Sequence, residues 1–167
     1  KKELRILKDD DAITVHEMPA SSISSLSVNI STLNDSTLII ATCSELLQYN
    51  INTNSLRSVF QSNNYCIRAL WKYKDYLFFG TYGSGFYILK NGVVKKMPLD
   101  NYQYLLYTHC FMPDGNGFCW ISTNRGLFKV AIDDMINAYE KNLSGIYYYY
   151  FGKTDGMLTN ELNGGCA

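Results

Sequence analysis

The sequence predicts an all-β fold made from a repeated unit of four short antiparallel strands, and three observations lead there. A five-residue phrase recurs as Leu38-Ile39-Ile40-Ala41-Thr42, Leu77-Phe78-Phe79-Gly80-Thr81 and Cys119-Trp120-Ile121-Ser122-Thr123, its threonines 39 and 42 residues apart. An apolar pair follows each threonine: Leu46-Leu47, Phe86-Tyr87 and Leu127-Phe128. Between the runs stand turn signals such as Asn91-Gly92, whose residues accept the positive φ of a two-residue hairpin. A repeat of about 40 residues that cannot bury both faces of its own sheet must stack on its neighbours, which is the logic of a β-propeller. The prediction is a partial propeller of about three and a half four-stranded blades with one short helix inserted.

In chain order, residues 1–19 read as the outer strands of a preceding blade (4–8 and 13–17), with Asp9, Asp10 and Asp11 as a solvated turn. Residues 28–64 form a blade, and 28–42 align with 67–81 without a gap. Residues 65–101 are the next, with strands at 67–71, 76–81, 86–90 and 93–97. The blade at 102–151 has one extra residue near 114–117, a helical insertion over 132–143 and an outermost strand over 146–151. The helix reading rests on Asp133 and Asp134 at a helix start and on Ile132, Met135, Ile136 and Tyr139 at helical offsets. Residues 152–167 begin a following blade. Glu45 stands where Gly85 and Gly126 occur in the other copies, so the first copy is expected to turn differently. Both Leu38, Ile40, Leu77, Phe79, Cys119 and Ile121 and the alternating Ile39, Phe78 and Trp120 are expected to be buried between blades.

Of 167 residues 47% are hydrophobic, ample for a core, and fifteen basic side chains cancel fifteen acidic ones. That balance leaves no electrostatic footprint for nucleic acid or an anionic membrane. No apolar run approaches the roughly 18 residues of a membrane helix, and Lys1-Lys2-Glu3 does not open a secretory signal. The five cysteines, Cys43, Cys66, Cys110, Cys119 and Cys166, lack C-x-x-C spacing. This disfavours a zinc site or a full disulfide framework, and small buried hydrophobes are expected. Cys110 and Cys119 flank a turn and could face each other, but one residue of register would separate them.

His16 and His109 read as satisfied strand histidines. Asp114-Gly115-Asn116-Gly117 reads as a turn, because a calcium loop would need Glu where Arg125 stands. Nucleophile, phosphate-loop and metal signatures are absent, so no catalytic residue, metal or cofactor is expected. The remaining functional clue is aromatic: 14 Tyr, 8 Phe and 2 Trp. Residues 147–150, four tyrosines, read as outer-strand packing. Tyr82, Asn124 and Arg125 are better ligand-binding candidates because they follow the second strand of a blade, where binding loops emerge. Tyr102, from the cluster with Tyr104 and Tyr107, joins them for its stacking face.

The segments 79–86 and 114–128 resemble the D-x-x-G-x-[LI]-W-I-G-T-x-x-G-L repeat of the periplasmic sensor propellers of Bacteroides-type hybrid two-component regulators. Asp155-Gly156-Met157-Leu158-Thr159-Asn160-Glu161-Leu162-Asn163 resembles their D-G-L-x-x-N-E-F-N segment. The resemblance runs from about residue 28 to 167 and departs at Ala41, Ser122, Glu45 and Cys119. It implies a non-catalytic sensory segment of a receptor histidine kinase of the inner membrane, lying in the periplasm and binding oligosaccharides. A rival reading is a structural or protein-interaction segment that transmits signal without a ligand, and a propeller lyase or hydrolase is a distant third. The segment itself is expected to touch neither nucleic acid nor membrane. Its end blades should expose apolar faces, so self-association, or pairing with the remainder of a propeller, is expected.

Overall fold

The computed structural model describes residues 2–8 and 11–18 as backbone and residues 29–162 with their side chains. Strands β1 (Lys2–Lys8) and β2 (Asp11–Met18) form an antiparallel hairpin. Asp9, Asp10, the His16 side chain and Cys166 lie outside the described residues, so the readings made for them do too. Three four-stranded antiparallel sheets follow, each in simple chain order. Sheet I holds β3 (Asn29–Asn34), β4 (Thr37–Ala41), β5 (Glu45–Asn50) and β6 (Ser55–Gln61). Sheet II holds β7 (Cys66–Tyr73), β8 (Tyr76–Tyr82), β9 (Phe86–Lys90) and β10 (Val93–Lys96). Sheet III holds β11 (Thr108–Pro113), β12 (Phe118–Thr123), β13 (Gly126–Ala131) and β14 (Tyr149–Phe151). Helix α1 (Ile132–Lys141) is inserted between β13 and β14. The fold is all-β with a single α-helix among the described residues.

Sheet II is the centre, because both of its faces are dry. Leu77, Phe79 and Leu89 pack with Ile39, Ala41 and Leu46 of sheet I. Phe78, Phe86 and Ile88 point the other way and pack with Phe111, Ile121, Phe128 and Val130 of sheet III. Phe78 and Phe79 are each 0% exposed although adjacent in sequence, which a strand allows only when both its faces are covered. The end sheets are less completely covered: Leu38 and Trp120, expected to be buried, are half-buried. On the outer face of sheet III the Lys129 ammonium lies over the rings of Phe118 and Trp120, at 4.4 and 5.1 Å.

Helix α1 starts with Asp133 and Asp134, which complement the positive end of its dipole, and ends at Asn142 in the left-handed conformation. Its Met135, Ala138 and Tyr139 enter the core between sheets II and III. It also reaches back to sheet II. Tyr139 Oη donates to Val93 O at 3.0 Å, and Glu140 Oε1 accepts from Tyr76 Oη at 2.6 Å and from Lys90 Nζ at 2.7 Å. These bonds hold the Glu140 carboxyl below its ordinary range.

The recurring threonine is a turn lock. Thr42 Oγ1 donates to Glu45 O (3.3 Å), Thr81 Oγ1 to Gly85 O (2.7 Å) and Thr123 Oγ1 to Gly126 O (2.9 Å). Each hydroxyl also accepts a backbone N–H of the same turn, from Glu45, Ser84 and Arg125 respectively. A hydroxyl that donates and accepts at once replaces two hydrogen bonds the strand ends would otherwise take from water. The first copy turns differently in backbone conformation, as Glu45 in place of a glycine suggests, though not in length. The first and third turns span the same number of residues, and it is the second, Thr81 to Gly85, that carries one more. Glu45 closes its turn without a positive φ, whereas Gly85 and Gly126 need one.

Other expectations change as well. Cys43 and Cys66 form a disulfide joining the end of β4 to the start of β7, beside a hydrogen bond from Ile67 N to Cys43 O at 2.8 Å. Cys110 is disulfide-bonded too, so three of the cysteines are not simple hydrophobes. The partners are 23 residues apart and are brought together only when sheet I stacks on sheet II. Cys110 and Cys119 do not meet, since Cys110 pairs with Ser122 and Cys119 with Pro113, on opposite faces. Cys119 alone among the described cysteines is free, and it is buried. The outermost strand of sheet III covers 149–151 instead of 146–151. The tyrosines of residues 147–150 divide: Tyr147 and Tyr149 are exposed, while Tyr148 packs on the core and donates to Pro98 O at 2.6 Å.

Two outcomes are expected. Replacing Thr81 by Val keeps the shape but removes both bonds of a fully buried hydroxyl, and should cost about 1–3 kcal/mol in urea unfolding, with Ser at the same position restoring most of it. Burial pushes the Cys119 thiol up to about 12. Alkylation at about pH 8, where an ordinary thiol with pKa about 8.5 reacts, should therefore leave Cys119 unlabelled in the native protein. Mass spectrometry should find it labelled only after unfolding.

Candidate functional site

The turns that follow β8 and β12 emerge at one end of sheets II and III, and there the sequence candidates gather. Tyr82, Asn124 and Arg125 line one cleft of about 550 Å³, together with Lys153, Thr159, Asn160 and Glu161. Tyr82 ends β8 and forms a single bridge with Tyr107, while Gly83 N and Gly85 N both donate to Leu106 O at 2.8 and 3.0 Å. Its ring meets Tyr107 edge-on at 4.9 Å and lies 5.7 Å from the His109 ring. The Arg68 guanidinium stands 5.8 Å from the Tyr82 ring centre. Tyr82 is still 42% exposed, so part of the residue stays open to solvent and to a ligand.

Asn124 is clamped from two sides. Its Oδ1 lies 2.6 Å from His109 Nε2, and its Nδ2 donates to Tyr82 Oη at 3.3 Å. His109 is thus the satisfied strand histidine the sequence suggests, with the added effect of orienting Asn124.

Arg125 is held through its backbone. Its N–H donates to Thr123 Oγ1 at 3.0 Å, its carbonyl accepts from Tyr150 Oη at 2.8 Å, and Gly126 follows with φ +127°. A Cβ at Gly126 would stand 2.6 Å from Phe151 O, so no other residue fits between the turn and β14. Burial raises the Tyr150 hydroxyl above its ordinary value and keeps it a donor. The guanidinium itself is exposed.

The third wall comes from residues 152–162. Lys153 N donates to Asn160 Oδ1 at 2.7 Å, Gly152 N to Asp155 Oδ2 at 2.8 Å, and Leu162 N to Thr123 O at 3.1 Å. These bonds fold the segment back across the end of sheet III and present Lys153, Asn160 and Glu161 to the cleft. Among the described residues, neither Arg125 nor Lys153 has a carboxylate partner within 4.0 Å.

Tyr102 is placed apart from the other candidates. It lines a neighbouring cavity of about 450 Å³ with Tyr104, Tyr107 and Arg125, so Arg125 belongs to both spaces. Tyr102 stacks on Tyr104 with centroids 5.5 Å apart, and Tyr104 leans on Tyr150 at 5.8 Å. Asp100 fixes the loop, accepting from Tyr102 N at 3.0 Å and Leu105 N at 2.8 Å. The reading by residue missed Lys153 and Tyr104. Asn160 and Glu161 stood inside a motif already noticed, but nothing in the sequence alone turned that motif toward Tyr82.

The arrangement offers flat aromatic faces, an oriented amide and two cations, which are tools for holding a polar ligand. Among the described residues no three His, Cys, Asp or Glu side chains converge as metal ligands, and no helix is long and apolar enough to cross a membrane.

No protein-family model matches the sequence, and comparison with curated proteins finds no match. Among solved structures the chain is similar to two of an extracellular domain from B. thetaiotaomicron. One is described as part of a hybrid two-component system, with 16% identity and TM-score 0.45 over 72% of this chain. The other is described as part of a one-component system, with 16% identity and TM-score 0.46 over 83% of this chain. The chain spans about a quarter of each, 23% and 25%.

Replacing Gly126 by Ala should force the Thr123–Gly126 turn to open. We expect a loss of about 1–3 kcal/mol, read by urea unfolding, from the strained φ and the contact with Phe151 O.

Proposed function

We propose that the chain is a non-catalytic, ligand-binding segment of a sensory β-propeller, its three sheets being successive blades, and that it takes an oligosaccharide in the cleft at Tyr82, Asn124 and Arg125. One observation carries this reading: side chains from two neighbouring sheets and from the segment after them converge on a single cleft with a partly exposed tyrosine and a pre-oriented amide. Sugars are held by this pairing of a stacking ring with fixed hydrogen-bonding groups. The repeated Thr lock and the stacked chain-order sheets support the blade assignment. The bound disulfides support an oxidising compartment such as the periplasm. The resemblance of residues 114–128 and 155–163 to sensor repeats supports a place in a signalling receptor.

The test is a thermal-shift screen of the 167-residue protein against neutral and acidic oligosaccharides. Binding to the native state must raise the apparent melting temperature. At least one oligosaccharide should raise it, and Tyr82→Ala should abolish the rise. No shift across the panel, or a shift indifferent to Tyr82, would sink the reading in favour of a segment that only transmits contacts.

A further inference from the structure

We infer that the ligand is anionic and elongated: a carboxylate-bearing oligosaccharide whose acid group sits on Arg125, with one ring in the Tyr82 cleft and another on the Tyr102–Tyr104 platform. The inference rests on the proposed binding role and adds charge and length to it.

Charge comes first. Arg125 and Lys153 both face the cleft, and among the described residues neither is neutralised by a carboxylate. Glu161 is the one acid at the cleft wall, so the described lining keeps a net positive charge. The chain as a whole is neutral, with fifteen basic and fifteen acidic residues, so this local excess is not a by-product of a basic protein. A guanidinium presents a planar fork that matches a carboxylate through two parallel hydrogen bonds. The backbone of Arg125 is fixed at N–H and C=O by Thr123 and Tyr150, so little backbone freedom is lost when the fork engages.

Length follows from the two cavities. The spaces of about 550 and 450 Å³ share Arg125 as a lining residue and have different aromatic faces. Tyr82 offers a ring held at its edge by Tyr107, while Tyr102, 76% exposed, is backed by stacking on Tyr104. An exposed tyrosine stacked on a second, itself leaning on a third, is a rigid platform whose outer face stays open. A ligand confined to the Tyr82 cleft would leave that platform unused, whereas one crossing Arg125 would stack at both ends.

The experiment compares oligogalacturonate with galactose oligomers of equal length, by calorimetry on the 167-residue protein. The expected result is that trigalacturonate binds about tenfold or more tightly than its neutral counterpart, since only its carboxylate accepts charge-assisted hydrogen bonds from the guanidinium. Arg125→Ala should erase that preference, Arg125→Lys should restore part of it, and added salt should weaken it. Tyr102→Ala should weaken binding of the trimer. Equal binding of neutral and acidic trimers, or a preference that survives Arg125→Ala, overturns the charge assignment while leaving the Tyr82 cleft as a sugar site. A trimer insensitive to Tyr102→Ala overturns the two-ring assignment. If no oligomer of either kind binds, this inference falls, while the binding role is decided by the wider oligosaccharide panel.

Discussion

The burial of both faces of sheet II is the constraint on which the rest depends. β8 is apolar at successive positions, Leu77, Phe78 and Phe79, and none of the three is exposed. A strand points neighbouring side chains to opposite sides, so one covering layer could never suffice. Sheets I and III are therefore required, and aromatic rings meet across both interfaces: Phe60 of sheet I lies 5.0 Å from Phe79 on one side, and Phe111 of sheet III lies 5.7 Å from Phe86 and 6.1 Å from Phe78 on the other. Gly80 belongs to the same requirement. A Cβ there would clash with the Thr108 side chain, so the start of β11 can approach β8 only over a glycine.

That close approach places the site. Once β11 lies against β8, Tyr107 meets Tyr82, Asn124 reaches Tyr82 Oη, and the turns after β8 and β12 open on the same end. The threonine locks then fix those turns from inside. Asn124 and Arg125 lie between Thr123 and Gly126, whose mutual bond determines where their backbone runs. The residue type chosen for fold repeats from sheet to sheet, while the residues inside each turn vary freely and can specialise.

Helix α1 and the disulfide between Cys43 and Cys66 act on the same joints from other directions. Glu140, Tyr76 and Lys90 tie α1 of the third unit to sheet II, and the Cys43–Cys66 bridge ties sheet I to sheet II. Relative sliding of the sheets, which would misalign a site shared between them, is opposed at both interfaces. Asp114 contributes locally by accepting the N–H groups of Asn116 and Phe118 at 2.8 and 3.1 Å, which lowers its carboxyl below the ordinary value and closes the β11–β12 turn.

By itself the sequence determined the repeated unit, its four strands, the helix and the double burial of the phrase around Phe78, because these follow from local periodicity and turn chemistry that each copy states separately. It also singled out Tyr82, Asn124 and Arg125, since loops after a fixed strand position can be compared between copies. Tertiary structure alone decided how distant segments meet, within a copy as well as between copies. The Cys43–Cys66 bond, the clamp of His109 on Asn124, the return of Lys153 and Asn160 over sheet III, and the placing of Tyr102 in a cavity beside the other candidates are all contacts between separate segments. No spacing along the chain encodes them, because a stacked sheet brings residues together by register and distance across a face, and neither is fixed until both faces of sheet II are filled.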